Sequence, residues 1–379
     1  MKVEFYRHNL EEADIARLVE VCRGVFLTTG QDVSRFEQAF ADYLGVGHAV
    51  GVTSCTAGLH VALLALEIGP GDEVITTPMT FAATSNTVLY TGATPVFVDV
   101  EPDTGLISVD EVERAITAKT KAIMPVHLYG QMADMRALRA VADRAGLKLI
   151  EDCAHAIECE RDGARPGQLA DAASFSFYAT KNITSGEGGA VATNSPELDR
   201  RMRLLRQHGM SASAADRYTG TYRHWDLELL GWKYNMNNLQ AALLAGQLDR
   251  IADLWARREA ICQRYETGFS GVEGLRFPIV LPGSRSARHL FTIWVEPKSR
   301  DAVLADLQAR GVGVAVNYRA VHLLSYYQER FGLPRGSFPV AELIGDSTIT
   351  LPLYPKLTDV EIDYVIDSVT ASLASVART

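Results

Sequence analysis

Short apolar segments alternate with amphipathic helical patterns through the first half of the chain. The strand-like segments are His48–Val52, Glu73–Thr76, Pro95–Val98, Ala122–Val126, Lys148–Glu151, Ala173–Phe177 and Ala190–Thr193. The helical patterns between them are Ala57–Leu66, Ala82–Tyr90, Val109–Ala118 and Met132–Ala145. This alternation is typical of βαβ units. We therefore predict an α/β fold whose mostly parallel, seven-stranded sheet is covered by helices on both faces.

The pattern changes after Asn194. The segments are helical patterns at Pro196–Gln207, Leu239–Tyr265, Ala302–Arg310 and Thr358–Ala374, with strand-like segments at Phe291–Val295 and Val312–Val316. A helical pattern at Gln31–Tyr43 precedes the first strand. We predict two domains. Residues 1–255 hold the N-terminal helices and the large α/β domain, and residues 256–379 form a small C-terminal α+β domain.

Charge and composition narrow the class of protein. The 379 residues are 47% hydrophobic and 22% charged, which suffices for a sizeable core. The formal net charge is −9, without a basic stripe, so neither nucleic acid nor an anionic membrane is an expected partner. The N-terminus lacks an apolar signal core, and no apolar stretch reaches membrane-spanning length. We expect a cytoplasmic protein.

The five cysteines give no sign of a metal site or of a disulfide framework. Cys22, Cys55, Cys153, Cys159 and Cys262 are scattered and odd in number, and they form no CxxC pair. The histidines near them lack zinc-like spacing. Free thiols in a reducing compartment, with no bound metal, are the expectation.

Lys181 ends an apolar, aromatic run that begins at Ser174. Burying an ammonium is costly unless it is paired or neutralised, so a lysine here is either an exposed charge or a reactive amine with a lowered pKa. A neutral amine can bond to an aldehyde cofactor. Asp152 ends a buried strand, where it either caps a turn or keeps a pyridine nitrogen protonated. Together the two residues predict pyridoxal 5′-phosphate (PLP).

Two strand-to-helix turns are candidates for the rest of a cofactor site. The turn at Cys55, Thr56 and Ala57 follows a strand and opens a helix, so its N–H groups either cradle a phosphate or merely follow an N-cap. Phe81, at another such turn, either stacks on a planar ring or packs in the core. Ser176 lies five residues before Lys181, and its hydroxyl can face the core or a phosphate.

Two later segments mix polar and aromatic side chains. Lys233 and Asn235 precede a long helical pattern, where either Asn235 or Asn238 caps the helix, or Lys233 and Asn235 reach an anion in a neighbouring subunit. Tyr318, Arg319 and His322 suit a sugar or phosphate-bearing ligand, and a solvated loop explains them equally well.

These motifs together resemble the DegT/DnrJ/EryC1/StrS sugar aminotransferases, PLP enzymes of fold type I. The similarity runs from Phe36–Phe40 to Leu351–Pro355 and is densest at Gly69–Val74, Asp152–His155 and Phe175–Lys181. Within the family, Gly231–Asn235 and the run from Tyr318 to Phe331 look most like the enzymes that act on UDP-4-keto sugars.

The resemblance implies a role for each matching residue. Lys181 carries the cofactor and moves protons, Asp152 pairs with the pyridine nitrogen, and His155 contacts the phenolic oxygen of the ring. The implied cofactor contacts are Cys55, Thr56, Ala57 and Ser176 at the phosphate, Phe81 on the ring, and Lys233 and Asn235 from the second subunit of a homodimer. The implied sugar-nucleotide contacts are Tyr318, Arg319 and His322. Cys55 replaces the usual Gly or Asn, so we expect altered packing there.

The implied reaction moves an amino group from L-glutamate to C4 of a UDP-4-keto sugar, with pyridoxamine 5′-phosphate between the half-reactions. Such products enter glycan, lipopolysaccharide or antibiotic sugars. The alternatives are a dTDP- or GDP-linked keto sugar aminated at C3, a keto-cyclitol, and a PLP-dependent sugar dehydratase. Dehydratases of this type carry His in place of the lysine, so Lys181 favours amino transfer. A non-catalytic, ligand-binding role is the remaining alternative.

Overall fold

A seven-stranded sheet forms the framework of the computed structural model, which describes residues 1–211 and 224–376. The strands are β1 (His48–Val52), β2 (Glu73–Thr76), β3 (Thr94–Phe97), β4 (Thr120–Ile123), β5 (Lys148–Asp152), β6 (Glu160–Arg161), β7 (Ala172–Ser176), β8 (Gly189–Thr193), β9 (Ser284–Arg285), β10 (Phe291–Trp294) and β11 (Thr348–Leu351). The order in the large sheet is β1-β8-β7-β5-β4-β2-β3. Strand β8 runs antiparallel to both of its neighbours, β1 and β7, and every other neighbouring pair in this sheet is parallel. The predicted sheet is confirmed.

Helices cover both faces of this sheet and continue into the C-terminal part of the chain. In the described part of the chain they are α1 (Glu12–Arg23), α2 (Gln31–Leu44), α3 (Cys55–Ala65), α4 (Ala83–Tyr90), α5 (Val109–Ala115), α6 (Met135–Ala145), α7 (Pro196–Leu205), α8 (Asn238–Asp249), α9 (Ile251–Phe269), α10 (Arg300–Ala309), α11 (Ser325–Phe331), α12 (Pro339–Ser347) and α13 (Asp359–Val376). None of the described helices has the length and apolar character needed to cross a bilayer.

Adjacent strand residues enter different cores, as expected for a sheet that is buried on both sides. Leu149 packs in the cluster that includes helices α2 and α6, whereas Ile150 packs in the cluster that includes α3. On β2, Ile75 packs in the first of these clusters and Val74 in the second. Burying one such side chain stabilises the fold by about 1.5–3 kcal/mol. The continuous apolar strands of the sequence follow directly from this double burial.

A third cluster brings α9, α10 and α13 together with the antiparallel pair β10 and β11. Tyr265 and Phe269 of α9 pack beside Phe291 of β10, with ring centroids 5.0 and 6.1 Å away. Val3 from the N-terminus also packs in this cluster. The C-terminal part thus has helices on a small sheet, while the domain boundary at residues 255/256 stays a prediction.

Two predicted elements differ from the structure. The single helix expected over 239–265 is divided at Arg250, between α8 and α9. No glycine or proline marks the break; the Arg250 guanidinium is held by Asp14 and by the carbonyl oxygen of Asn9. The strand expected over 312–316 was wrong, because Val312 and Ala315 form only isolated bridges with Val3 and Thr350.

Candidate active site

A cavity of about 530 Å³ opens where β5 and β7 end, beside the first turn of α3. The carboxyl ends of sheet strands are the usual place for a ligand in folds of this type. The predicted site residues that line the cavity are Cys55, Thr56, Phe81, Asp152, His155, Ser176, Lys181 and Tyr318. These residues come from distant parts of the chain, so the fold brings one candidate site together.

Strand β7 directs its side chains in two ways. Phe175 and Phe177 point to α2, where Phe40 packs edge-on against both rings at centroid distances of 5.0 and 5.5 Å. Alternation then turns Ser176 to the other face, where it lines the cavity. The Ser176 oxygen accepts a hydrogen bond from the Tyr178 N–H at 3.3 Å, which leaves its own O–H free to donate.

Lys181 follows directly on this anchored strand. Its backbone N–H donates to the Tyr178 carbonyl oxygen at 2.9 Å, which turns the half-buried side chain into the cavity. Removal from water lowers the pKa of the Lys181 amine to about 8, although Cys55 and Asp152 act in the opposite direction. A substantial fraction of the amine is therefore neutral near pH 8 and able to act as a nucleophile.

The Asp152 carboxylate is held rigidly at the end of β5. One oxygen accepts a hydrogen bond from the Thr84 hydroxyl at 2.8 Å, and the other accepts from the Ala154 N–H at 3.1 Å. The side chain is buried yet lines the cavity. A fixed carboxylate at this place can hold a proton on a ring nitrogen.

His155 is buried with a defined tautomer. The Tyr129 N–H donates to Nδ1 at 3.2 Å, so the neutral ring carries its proton on Nε2, which lies 3.0 Å from the Tyr318 hydroxyl. Burial, and secondarily the positive charge of Lys181, holds the pKa of His155 well below its usual value. The ring is therefore an uncharged wall of the cavity.

The first turn of α3 supplies an anion-binding end. The Ser54 hydroxyl caps the helix by accepting from the Ala57 N–H at 3.0 Å. The Ala57 N–H, predicted as a phosphate contact, therefore already has a hydrogen-bond partner. The N–H groups of Cys55 and Thr56 have no partner within the helix. A β-carbon at Gly189 would lie 2.6 Å from the Cys55 nitrogen, so only glycine lets β8 approach this turn. The partial positive charge of the helix terminus adds to the site.

The Cys55 thiol packs inward. Its sulfur lies 3.3 Å from the Ser174 carbonyl oxygen and 3.9 Å from an Asp152 oxygen. Burial, with the neighbouring Asp152 charge as a second cause, raises the pKa of the thiol well above its usual value. The thiol is neutral, and the Cys55 backbone stays available at the cavity.

Phe81 is 62% exposed although it is a large aromatic residue. It lines the cavity, and its ring centroid lies 5.9 Å from that of Tyr318. The alternative interpretation of Phe81 as a core residue does not match this exposure.

Besides Ala57, four predicted residues are not among those that line this cavity. Lys233 is exposed, and the side-chain nitrogen of buried Asn235 donates to the Thr29 hydroxyl at 2.7 Å. Arg319 is exposed beside Tyr318. His322 is completely buried, with Nε2 3.0 Å from a Glu342 oxygen and its ring against Phe338. The structure therefore does not bring the His322 side chain to the cavity.

Several residues that contact the site were not predicted. They are Thr84 at Asp152, His289 and Asn182 near Lys181, and Phe5, Thr180, Glu187 and Asn317 in the cavity lining. Asn182 directly follows Lys181, which is a local signal. His289 stands just before β10 in the run from Ser286 to Phe291, more than a hundred residues away, and no spacing rule connects it to Lys181.

One buried group in the described chain has metal-ligand chemistry. Donor atoms of His127, Glu151 and Cys153 lie within 4.8 Å of one another. His127 and Glu151 bond to each other at 2.6 Å, and each also accepts a backbone N–H, from Ala133 and Gly167 respectively. These bonds fix the end of β5, which carries Asp152.

The chain is similar to known proteins over nearly its whole length. Residues 8–370 match the DegT/DnrJ/EryC1/StrS aminotransferase family. The chain is 43% identical over 363 residues to the spore coat polysaccharide biosynthesis protein SpsC of Bacillus subtilis (strain 168), covering 94% of this chain and 93% of SpsC.

Solved structures are similar over nearly the whole chain. Spr1654 from Streptococcus pneumoniae, assigned as a sugar aminotransferase and solved in its PMP form, has a TM-score of 0.94 and 32% identity, covering 99% of this chain and 100% of its own. PseC of Helicobacter pylori, an aminotransferase involved in the biosynthesis of pseudoaminic acid, has a TM-score of 0.92 and 29% identity, with coverage of 99% and 100%.

Proposed function

Because the chain belongs to the DegT/DnrJ/EryC1/StrS aminotransferase family, we propose that it moves the amino group of L-glutamate to C4 of a UDP-linked 4-keto sugar. The protein is a sugar aminotransferase with the fold of the PLP enzymes of fold type I, and its cofactor is PLP. The amino donor, the nucleotide and the aminated carbon are the proposal.

The residues of the cavity fit PLP. Lys181 presents a desolvated amine for the aldehyde group, and Asp152 presents a carboxylate for the ring nitrogen. The N–H groups of Cys55 and Thr56, with the free hydroxyl of Ser176, provide donors for a phosphate. One cavity that unites these three requirements is the observation that carries the proposal.

Each residue then has a chemical task. Bound PLP supplies an electron-withdrawing ring that stabilises negative charge on the substrate carbon. Lys181 carries a proton on Nζ, and its pKa of about 8 lets it take up and release that proton near neutral pH. Asp152 holds a proton at the ring nitrogen. Neutral His155 and the exposed ring of Phe81 orient the cofactor and exclude water.

The proposed sugar substrate is supported by the relatives and by two residues. SpsC belongs to spore coat polysaccharide biosynthesis, and PseC to pseudoaminic acid biosynthesis. Asn317 lines the cavity, where its side-chain amide can hydrogen-bond to a sugar hydroxyl. The exposed guanidinium of Arg319 lies next in sequence to Tyr318 at the cavity and suits a diphosphate.

The homodimer is also part of the proposal. Val25 is 92% exposed and Leu230 81% exposed, so both offer apolar surface to a second subunit. The loop after α1 is joined to the segment of Lys233 and Asn235 by the hydrogen bond between Thr29 and Asn235. A second copy that covers this surface would bring Lys233 to its partner's phosphate site. Sedimentation equilibrium tests this: a monomer at micromolar concentration contradicts the dimer.

A substrate panel tests the reaction. The PMP form is mixed with UDP-, dTDP- and GDP-linked 4-keto and 3-keto sugars and with a keto-cyclitol. We expect rapid return of the PLP absorbance with the UDP-4-keto sugar, and NMR of the product should place nitrogen on C4. A faster reaction with another nucleotide, a 3-keto sugar or the cyclitol contradicts the proposed substrate.

The same panel separates amino transfer from dehydration. Amino transfer consumes one glutamate per amino sugar and releases 2-oxoglutarate, whereas a dehydratase removes a sugar hydroxyl and leaves no amino group on the sugar. Lys181 supports the first reaction. A deoxygenated sugar without an amino group supports the dehydratase, and a protein that turns over no keto sugar supports a non-catalytic role.

A further inference from the structure

A buried row of polar side chains extends from Lys181 away from the cavity. The Lys181 amine lies 3.4 Å from Nε2 of His289, and Nδ1 of His289 lies 2.9 Å from the Asn182 side-chain oxygen. The Asn182 nitrogen donates to Glu158 at 2.6 Å, and Glu158 is paired with Arg258. All four residues beyond Lys181 are buried.

The bonds of Asn182 decide which His289 nitrogen carries the proton. The Asn182 nitrogen also donates to the Ala287 carbonyl oxygen at 2.9 Å, and a carbonyl oxygen can only accept. The Asn182 oxygen must therefore face His289 and accept from Nδ1–H. In the neutral imidazole, Nε2 then carries no proton, and its lone pair faces the Lys181 amine.

We propose that His289 is a positioning residue for Lys181: its Nε2 lone pair holds the lysine amine as a hydrogen-bond acceptor, in an orientation set by Asn182. This inference rests on the proposed role of Lys181. When the amine is detached from the cofactor, His289 keeps it beside the cavity instead of letting the flexible side chain turn away. One N–H of the amine points to His289, and the other bonding directions of the Lys181 Nζ atom face the cavity.

The charges around this pair agree with a neutral His289. Lys181 faces Cys55, Asp152 and His289, while His289 faces Lys181, His155 and Arg258. Burial first, and then the charge of Lys181, lowers the pKa of His289 well below its usual value. His289 therefore remains an acceptor throughout the pH range in which Lys181 titrates.

The row also connects the amine to the C-terminal part of the fold. Arg258 lies on α9, the helix that carries Tyr265 and Phe269 into the third core cluster. Glu158 precedes β6 and accepts from both Arg258 and Asn182. His289, the acceptor that faces Lys181, is thus oriented through Asn182 by the ion pair between Glu158 and Arg258 of α9.

The first test is the tautomer of His289 in the cofactor-free protein. With ¹⁵N-labelled histidine, two-bond ¹H–¹⁵N correlations distinguish the Nδ1–H form from the Nε2–H form that dominates in solution. The signal that disappears in His289→Gln identifies the residue. We expect the Nδ1–H form in the wild type and loss of this preference in Asn182→Ala. An Nε2–H signal for His289 in the wild type overturns the proposal.

The second test measures the Lys181 amine itself, also without cofactor or substrate. Its rate of reductive methylation is followed against pH by peptide mass spectrometry. Loss of a hydrogen bond to the ammonium should lower the midpoint by about one pH unit in His289→Leu. His289→Gln, which keeps an acceptor oxygen, should restore the wild-type midpoint.

His60→Leu is the matched control, since His60 is a buried histidine of α3 that contacts Tyr234 and does not line the cavity. It should leave the Lys181 midpoint unchanged. An unchanged midpoint in folded His289→Leu contradicts the proposal. If His289→Leu does not fold, the tautomer of His289 in the wild type remains the test of the proposal. Both readouts are independent of turnover, so a failed substrate panel does not affect them.

Discussion

The two faces of β7 carry opposite chemistry on adjacent residues. One face bears Phe175 and Phe177, which are fully packed against α2 and contact no solvent. The other bears Ser176, which is half-buried and lines the cavity a few residues before Lys181. The comparison shows how a strand can be fixed by one face while the other stays free to bind. Rigid support of this kind keeps a reactive group in place.

The largest expected effect comes from Lys181→Ala on the chemical side of this comparison. Amino transfer should fall at least about a thousandfold, because both the cofactor anchor and the proton carrier are lost. Borohydride reduction followed by peptide mapping should find the cofactor on residue 181 of the wild type and on no residue of the variant.

Lys121→Ala is the control for this variant, since Lys121 is an exposed lysine on another strand. It should transfer amino groups like the wild type. A labelled peptide that does not contain residue 181 contradicts the assignment of Lys181.

Phe177→Ala tests the packed side of β7. Removing a buried Phe leaves a cavity and should reduce the free energy of unfolding by about 3–5 kcal/mol. The urea midpoint of the cofactor-free protein measures this loss. Leu343→Ala, a change at a half-exposed position, should shift the midpoint far less. Equal shifts in the two variants would show that the Phe177 face does not support the strand.

Ser176→Ala should have a smaller effect, on cofactor affinity alone. Loss of one hydrogen bond to a phosphate should weaken PLP binding about tenfold, while the urea midpoint of the cofactor-free protein stays near that of the wild type. Equilibrium dialysis measures the affinity. Unchanged affinity would mean that the Ser176 hydroxyl does not meet the phosphate.

The pH dependence of the Lys181 amine should be the smallest effect. Burial lowers its pKa to about 8, so the neutral, reactive fraction rises as pH increases through that value. Between pH 7 and pH 8 the rate of PLP attachment should rise about fivefold, and it should level off above pH 9. A rate that keeps rising towards pH 10.5 would show an amine with its ordinary pKa.

The sequence was sufficient for the parts of the molecule that depend on local pattern. Alternating strands and helices predicted the parallel sheet, because strands buried on both faces must be apolar throughout. The lysine after an aromatic run predicted the cofactor only together with the acid at a strand end, because PLP needs both an amine for its aldehyde and a carboxylate for its ring nitrogen. Most of the predicted cofactor contacts line the cavity that follows from this fold.

Only the tertiary structure decided the features that depend on contacts between distant residues. Arg250, where the predicted helix breaks, bonds to Asp14, the Asp152 carboxylate accepts from Thr84, and the partner of Lys181 is His289, from just before β10. His322, in contrast, is buried against Glu342 rather than at the cavity. Hydrogen-bond partners are selected by three-dimensional proximity, and neither hydrophobic periodicity nor residue spacing carries that information.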